Sequence, residues 1–499
     1  MKHMRKGSIT IFLALILGLM VTLLGAGLYS VRMQAARSQI LNATDIGLFS
    51  LFSEFDRTLL DEYDLFALDA SGGGSGPDLA TLYDEFNSYF LPILAQNSQH
   101  LTLLSGGLNG YTLLTDDGGE ALYRQVTQYM LQTIGAQGIS AVRDRLSGHQ
   151  ESTAAAEISG QRLENEGTMG TYDREIQDAA DLSEARAREL REQNQGSDGS
   201  GTDLGSSSQG WDVSHDQQVE NPIPVIQRIR QMGILGLVIP ASRGISGESV
   251  NRSELPSGRA LAHGYGLGPG KQGLSIPFSE ILFIQYIMNK LGNYRRPAAS
   301  GLRYQVEYII GGRTTDRDNL EKVATRLLLI REGVNAAALA ADSDKMLQVR
   351  LLASAIAGGF LVPPATPAIE AALVMSWAFA ESVLDVRELF DGGRVPLIKD
   401  PASWQLTLEN LPRLLDRLDV DRKNNDRGMA YQDYLQVLLM ARTKNQLKAG
   451  TLDMLEQTLR ARPGWETFRL DECVVAAGVC VSVRANGPKA YMCERSFYY

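Results

Sequence analysis

Residues 7–31 read GSITIFLALILGLMVTLLGAGLYSV, a run of 25 residues without one charged side chain. A helix needs about 20 apolar residues to cross the hydrocarbon layer of a membrane, whereas the core of a cleavable signal peptide has about 7–15. Beyond residue 31 the apolar side chains keep a helical spacing instead of giving way to a polar linker. The sequence therefore predicts a transmembrane helix at 7–31 that is retained as an anchor.

A short basic leader, residues 1–6, precedes this run and contains Lys2, Arg5 and Lys6. Basic residues beside a membrane helix stay on the cytoplasmic side. We therefore expect a single-pass protein of the cell membrane, with a cytoplasmic amino terminus and with the bulk of the chain extracytoplasmic. The membrane itself is the first expected partner.

Small residues recur every four positions along the predicted anchor. A stripe of small residues lets a second membrane helix approach closely, so it is a candidate packing surface. Small residues are also common in any membrane helix, which leaves ordinary composition as the alternative interpretation. The stripe consists of Ala14, Gly18, Thr22, Ala26 and Ser30.

The pattern of apolar residues predicts an α+β fold that is mainly α. Residues 32–147 are expected to form a helical stem and the first part of a globular head. The stem helix runs from the anchor to about residue 62, and two further helices are predicted at 79–94 and 121–146. Residues 101–114 alternate around Gly106, Gly107 and Gly110, which favours a β-hairpin. Residues 148–220 are rich in Ser, Gly, Glu and Gln, and they predict a polar, partly disordered insertion.

Residues 221–499 are expected to form the main extracytoplasmic α+β region. A strand is predicted at 303–310 and helices at 277–291, 317–341, 343–361 and 366–390, with Thr315 or Asp316 capping the second helix. Only Glu370 interrupts the charge-free run between Arg350 and Glu381, so a second membrane insertion is an alternative. The prolines at 363–367 divide that run into segments shorter than the roughly 20 residues that a crossing needs, which favours buried helices.

Composition limits the classes of partner. The chain of 499 residues is 44% hydrophobic and 21% charged, and its formal net charge is -10. Binding to nucleic acid needs a concentrated basic surface. Lysine and arginine are instead scattered among acids, so no nucleic-acid partner is expected.

The sequence contains no convincing catalytic, cofactor or metal motif. Gly268, Gly270 and Gly273 match a dinucleotide-binding spacing, but they lie in a Gly/Pro loop and not between a strand and a helix. The five histidines are isolated from one another. Glu370, Glu381 and Asp385 could lie near one another on a helix, and a glycosidase needs only two such acids. Structural salt bridges explain these acids more simply. We therefore expect no catalytic residues, no cofactor and no metal, and a protein that is not an enzyme.

A β-hairpin is predicted at the carboxyl terminus, within residues 473–499. Apolar residues alternate from 475 to 483, and Asn486-Gly487 is a strong turn signal. A turn at 485–488 would place Cys480 directly opposite Cys493, within disulfide reach. The alternative is that all three cysteines, including Cys473, are reduced.

Several segments resemble one family. NYRRPAASGLRYQVEYIIGGRTTDRDNLEKVATRLLLIREGVNAAAL, SWAFAESVLDVRELFDGGRVPLIKD and GMAYQDYLQVLL are similar to the exported Gram-positive proteins of the "domain of unknown function 5702" (DUF5702) family, as are KGSITIFLALIL and EFDRTLLDEYDLFAL near the start. The family has no assigned activity. The resemblance implies a membrane-anchored extracytoplasmic protein akin to the TadE/TadG-like proteins that accompany Flp-type pilus systems.

The start of the anchor bears on that kinship. Lys6-Gly7 before an apolar helix is similar to the site at which prepilin peptidases cut pilin-like precursors, so Gly7 and Ser8 form a candidate processing site. Pilins and TadE-like proteins usually carry glutamate five residues after the cut, where this chain has Phe12. That departure favours a permanently anchored accessory protein over a filament subunit.

The function that we expect is therefore a structural or accessory role in a pilus-like or secretion apparatus, whose proteins would be further partners. The first alternative is a cell-surface binding protein that uses 148–220 and 242–277 as contact loops. The second is a cell-envelope hydrolase.

Overall fold

The computed structural model describes residues 6–71, 76–96, 100–165, 174, 178, 221–240, 243–267, 278–359, 365–399, 403–418, 428–485 and 490–499. It is α+β and mainly α, which confirms the predicted class. The helices are α1 (Lys6–Phe52), α2 (Arg57–Tyr63), α3 (Leu79–Ala95), α4 (Asp116–Asn165), α5 (Ile223–Arg230), α6 (Ile234–Val238), α7 (Ser279–Lys290), α8 (Gln305–Gly311), α9 (Asp316–Ala341), α10 (Ser343–Gly359), α11 (Thr366–Asp391), α12 (Tyr431–Met440) and α13 (Lys444–Arg460). The strands are β1 (Leu68–Asp69), β2 (Thr102–Leu113), β3 (Arg394–Val395), β4 (Met429–Ala430), β5 (Cys473–Arg484) and β6 (Ala490–Tyr498).

The described residues form two compact units. The first unit combines residues 1–136, 251–286 and 444–499, and the second combines residues 137–250 and 287–443. The first unit therefore draws on both ends of the chain. The C-terminal strand β5, in the predicted region 221–499, pairs with β1 and β2, in the predicted region 32–147.

Helix α1 is continuous for 47 residues, from Lys6 to Phe52. It is long and apolar enough to cross a membrane, with a mean hydropathy of 2.6 in its most apolar window, and residues 10–31 are exposed. The predicted continuation beyond the apolar run is correct as far as Phe52. Its extension to residue 62 is wrong, because Asp56 starts a separate helix by accepting a hydrogen bond from the backbone N–H of Leu59 at 2.8 Å.

The second half of α1 belongs to the core of the first unit. Its buried side chains recur at three- and four-residue spacing and face α3 and β6. Gly47 allows the close approach to α3, since an added Cβ would lie 2.9 Å from the Phe86 ring. The buried positions of α1 include Ala36, Ile40, Ala43, Leu48, Leu51 and Phe52.

The sheet of the first unit places β5 between β2 on one side and β1 and β6 on the other, all antiparallel to it. The hairpin predicted at 101–114 is wrong, because this segment is the single strand β2. Gly106 and Gly110 lie within the strand, where they allow close contacts, and they do not form a turn. The register shifts between Leu108 and Gly110, and a Cβ on Gly110 would lie 2.8 Å from the backbone of Gly266.

The second unit is built around α9 and α11, which pack side by side. Thr315 caps α9 as predicted, with its hydroxyl oxygen accepting from the N–H of Asp318 at 3.1 Å. Helix α11 is almost entirely buried from Met375 to Phe390, as expected for a core helix and not a membrane insertion. Within the part of the chain that the structure describes, α1 is the one helix that meets the length and composition of a membrane span.

The predicted strand at 303–310 is wrong, because residues 305–311 form the short helix α8. All of residues 305–310 are buried. A short segment that is buried on every side has no polar face, so periodicity does not separate a helix from a strand. Neighbouring side chains hold the turn into α8, since the Asp316 carboxylate accepts from the N–H groups of Arg303 and Tyr304 at 2.9 and 3.0 Å.

Helix α4 is longer than the predicted 121–146. It extends at least to Asn165 and so includes the first residues of the predicted insertion 148–220. Apart from Arg174 and Asp178, residues 166–220 lie outside the described residues, as does the glycine motif at 268–273.

Candidate functional site

The apolar half of α1 is the first candidate site. The predicted small-residue stripe lies on it, and all five members are exposed, as are the leucines between them. The Thr22 hydroxyl donates to the Leu19 carbonyl at 2.9 Å, so its polar group is satisfied within the helix. Gly7 and Ser8 lie in the first turn of α1. The stripe and the processing site both stay predictions, and residues 1–5 lie outside the described chain.

The predicted disulfide between Cys480 and Cys493 is not formed in this structure, where all three cysteines are free. Strand β6 pairs Arg484 with Ala490, so the loop is one residue longer than the predicted 485–488. This shift places Cys493 opposite Val481, and Cys480 opposite Glu494. Because successive residues of a strand face opposite sides of the sheet, the two cysteines point away from each other. Cys493 is buried, 3.7 Å from the Thr44 hydroxyl oxygen of α1.

The second candidate site is a group of buried charges in the second unit, which we call the Lys399 cluster: Arg331 and Asn335 from α9, Glu381 and Asp385 from α11, and Lys399 from the segment after β3. Their side chains are nearly or completely inaccessible to solvent. Lys399 Nζ contacts Glu381 Oε1 and lies 2.7 Å from Asp385 Oδ1. Arg331 Nε and Asn335 Nδ2 each donate to Asp385 Oδ2 at 3.0 Å.

Backbone groups complete the Lys399 cluster. Glu381 accepts from the N–H of Gln405 at 2.9 Å and from that of Leu406 at 3.0 Å. Arg331 donates to the carbonyls of Pro396 and Leu397, both at 2.9 Å, and so fixes the backbone that leads to Lys399. Two cations face two carboxylates, and the cluster has no net charge.

The two carboxyls of the Lys399 cluster have different electrostatic environments. Burial raises the pKa of Glu381, and the attraction of Lys399 only partly opposes that rise. Burial also disfavours the charge on Asp385, but Lys399 and Arg331 outweigh it and lower the pKa of Asp385. Helix α11 therefore carries one carboxyl that readily takes a proton and one that readily gives it up.

The sequence identified only part of this cluster. Glu381 and Asp385 were flagged as acids one turn apart in an apolar helix, and the structure brings them together at Lys399. Glu370 does not join them, because it is partly exposed and lies 3.8 Å from Arg350. Lys399 and Arg331 are not recognisable as members of the cluster from the sequence pattern alone. The pattern did signal that some cation would join the acids, since a buried acid that stays charged needs a cation nearby.

A further buried carboxyl, Glu307, lies where α8 meets α12. Glu307 Oε1 accepts from the N–H of Tyr294 at 2.8 Å and from the hydroxyl of Tyr431 at 2.7 Å. Burial, the largest cause, raises the pKa of Glu307 from 4.5 to about 7; the hydrogen bonds from Tyr294 and Tyr431 oppose this rise, and the nearby charge of Asp316 adds to it. Between about pH 4.5 and 7 the folded chain therefore holds a proton on Glu307 that the unfolded chain has lost.

We expect Glu307 to make the second unit less stable as the pH rises. A carboxyl with a raised pKa stabilises the fold below the unfolded value, about 4.5, and this contribution is lost as the pH rises through about 7. The Glu307→Gln variant keeps the shape of the side chain but has no group that ionises in this pH range. Between these pH values the free energy of unfolding of the variant should therefore rise by roughly 3 kcal/mol relative to that of the wild type. Denaturant unfolding of both proteins across the pH range measures this gain, and parallel profiles would contradict it.

The first unit contains a separate group of ion pairs that ties down the segment 251–267. Arg259 pairs with Glu456 of α13 and with Asp471, both of which are buried. Ser257 donates to Asp453 through both its N–H, at 2.8 Å, and its hydroxyl, at 2.7 Å. These bonds hold the irregular segment against α13, so its central part is a packed element of the first unit.

No metal site is found among the residues that the structure describes. No group of three or more His, Cys, Asp or Glu side chains there is arranged to hold a metal ion. The buried cations Arg331 and Lys399 and the partly buried Arg259 are instead paired with carboxylates, as in the two ion-pair groups above.

Comparison with known proteins places the chain in a family. No curated protein and no solved structure gives a significant match. The profile of DUF5702, a family of unknown function, matches residues 212–485, which is more than half of the 499 residues. The matched region contains the whole Lys399 cluster, Glu307 and strand β5. The chain therefore belongs to the DUF5702 family.

Proposed function

We propose that this protein is a single-pass membrane protein with a cytoplasmic amino terminus, and that it serves as a non-catalytic structural or accessory component of a pilus-like (Flp/Tad-type) or secretion apparatus. One observation carries the proposal. Helix α1 is apolar and exposed over residues 10–31 and then, without a break, contributes Ala36, Ile40 and Ala43 to the core of the first unit.

A continuous helix of this kind has a mechanical consequence. A flexible tether would let an extracytoplasmic domain move freely above the membrane. Here the helix that would cross the membrane is itself part of the folded core, so the first unit is held at a fixed distance and angle to its own anchor. That geometry suits a component of a multi-protein assembly, in which position relative to the membrane matters.

The start of α1 supports an accessory role over a filament role. Lys6-Gly7-Ser8 before the apolar run is similar to a pilin-like processing site, but Phe12 occupies the position at which pilin-like proteins usually carry glutamate. A buried glutamate can pair with the amino terminus of a neighbouring subunit, and phenylalanine cannot.

The two alternatives receive less support from the geometry. Ser257 and Arg259 fasten the middle of 242–277 to the first unit, which removes much of that segment as a free contact loop. Glu381 and Asp385 are fully buried and paired with cations, whereas a hydrolase needs carboxyls that face a substrate cleft.

Crosslinking in living cells tests the proposal. The tagged full-length chain is crosslinked, solubilised and captured, and the co-purified proteins are identified by mass spectrometry. A matched control replaces residues 10–31 by an unrelated transmembrane helix. We expect membrane components of a pilus-like or secretion system with the native chain. Recovery of a soluble ligand alone would favour the binding-protein alternative and would overturn the proposal.

A further inference from the structure

Lys399 is enclosed with two carboxyl groups in the interior of the second unit. Its side chain is 1% exposed, and those of Glu381 and Asp385 are completely buried. Removing such ions from water is costly, and their mutual attraction offsets this cost only in part. A reaction that turns two of these charges into a neutral group therefore has a driving force here that it lacks at the surface.

The two oxygens of Asp385 differ in their surroundings. Oδ2 is held by Arg331 Nε and Asn335 Nδ2 at 3.0 Å. Oδ1 makes no hydrogen bond of acceptable geometry with any described residue, although Lys399 Nζ lies only 2.7 Å from it. The nitrogen is thus placed beside the carboxyl group without being engaged as a regular donor to it.

We propose that Lys399 and Asp385 form an intramolecular isopeptide bond. Glu381, in contact with Nζ, takes a proton from the ammonium group, and the free amine attacks Cγ of Asp385. The Cγ–Nζ bond forms and the Cγ–Oδ1 bond breaks. Oδ1 leaves as water with two of the three ammonium protons, carried by Glu381, and the third stays on the amide nitrogen. One carboxylate and one ammonium give one amide and one water, so the reaction needs no oxidant, reductant or activating co-reactant.

Each neighbour of the Lys399–Asp385 pair has a role in this reaction. Arg331 and Asn335 are positioned to stabilise the negative charge that develops on Oδ2 when the amine adds, as hydrogen-bond donors do in acyl transfer. Glu381 shuttles the proton as a general acid and base. The fold supplies proximity, because α9 and α11 hold the reacting groups in contact before reaction. Trp404 covers Lys399 Nζ, at 5.4 Å from its ring centroid, and helps to exclude the water that would reverse the reaction.

The electrostatic balance is preserved when the bond forms. Before reaction the cluster holds Arg331 and Lys399 against Glu381 and Asp385, and afterwards it holds Arg331 against Glu381. The carbonyl of the new amide still accepts from Arg331 and Asn335. The crosslink would fasten the segment after β3 to α11, and it does not depend on where the protein is located or on the function proposed above.

Mass spectrometry of the full-length protein, purified in detergent, tests the inference. We expect an intact mass lower than that calculated from the sequence by one water, no tryptic cleavage after Lys399, and a branched peptide whose fragments join Lys399 to Asp385. An unmodified mass with a free Lys399 peptide overturns the proposal. A branch to Glu381 overturns the assignment of the roles. The wild-type chain alone gives these results, so they do not depend on the folding of any variant.

Two variants then test the chemistry. Glu381→Gln removes the proton carrier and should restore the full calculated mass, while Glu370→Gln, a partly exposed position of the same helix, should leave the loss of water complete. Circular dichroism of both variants checks that α11 is intact. A complete bond in the Glu381→Gln protein would contradict the proton-transfer role.

Discussion

Replacing Leu19 and Leu23 by arginine is expected to release the protein from the membrane. Both leucines are 69% exposed in the middle of the apolar run of α1. An arginine near the centre of a membrane helix costs about 2.5–3.5 kcal/mol for insertion, so the pair costs roughly 5–7 kcal/mol and also removes two favourable leucines. An insertion that is favourable for the wild-type helix should therefore fail.

Fractionation of cells measures this effect, with the chain detected in the membrane pellet or in the soluble fraction. The control variant carries isoleucine at both positions, which keeps the volume and the apolar character, and it should remain in the membrane. Because the two side chains are exposed, the unfolding midpoint of the rest of the protein should be unchanged. Full membrane retention of the arginine variant after alkaline extraction would contradict the assignment of α1 as an anchor.

Phe86→Ala is expected to destabilise the first unit by about 3–5 kcal/mol, the usual cost of removing a buried phenylalanine ring. Phe86 is completely buried on α3. Its ring lies against Gly47 of α1 and stacks on Phe90 with 5.2 Å between ring centroids. The substitution leaves a cavity where α1 enters the core, and it should therefore loosen the junction between the anchor helix and the first unit.

Denaturant unfolding in detergent measures the loss, and limited proteolysis near Gly47 reports on the junction. Leu91→Ala is the matched control, since Leu91 is on the same helix but 43% exposed, and it should cost less than 1 kcal/mol on the scale of about 25 cal/mol per Å² of apolar area. Equal effects for the two variants would show that α3 does not pack on α1 as described.

Local sequence signals were sufficient to predict helices α3 and α9. Thr315 is a capping residue followed by acids, and α9 begins directly after it. Asp78 likewise caps α3 by accepting from Ala80 and Thr81. Such signals act within one turn of the chain, so they are readable in sequence and survive folding.

The errors arose where distant contacts decide the structure. Gly106 and Gly110 resemble turn residues, but they lie in β2 because β5, more than 350 residues later, pairs with them. The hairpin β5–β6 was predicted correctly, yet one additional loop residue moved every cross-strand pair and separated Cys480 from Cys493. Register depends on the length of the loop, which the turn signal alone does not determine.

The Lys399 cluster shows the same limit at the level of the site. Glu381 and Asp385 were visible as two acids one turn apart in an apolar helix. Their cations come from a different helix, 54 residues before Asp385, and from a loop 18 residues after Glu381. The sequence showed that charges would be buried, and only the fold showed which charges meet.

We propose that α1 is retained in the membrane while the rest of the chain lies outside it. Protease treatment of intact cells, followed by amino-terminal sequencing of the fragment left in the membrane, tests both parts together. We expect external protease to remove the two units and to leave a fragment that begins at Met1, or at Ser8 if a prepilin peptidase acts, and that contains residues 10–31. A mature protein that begins after Ser30, or a chain fully protected in intact cells, would contradict the claim.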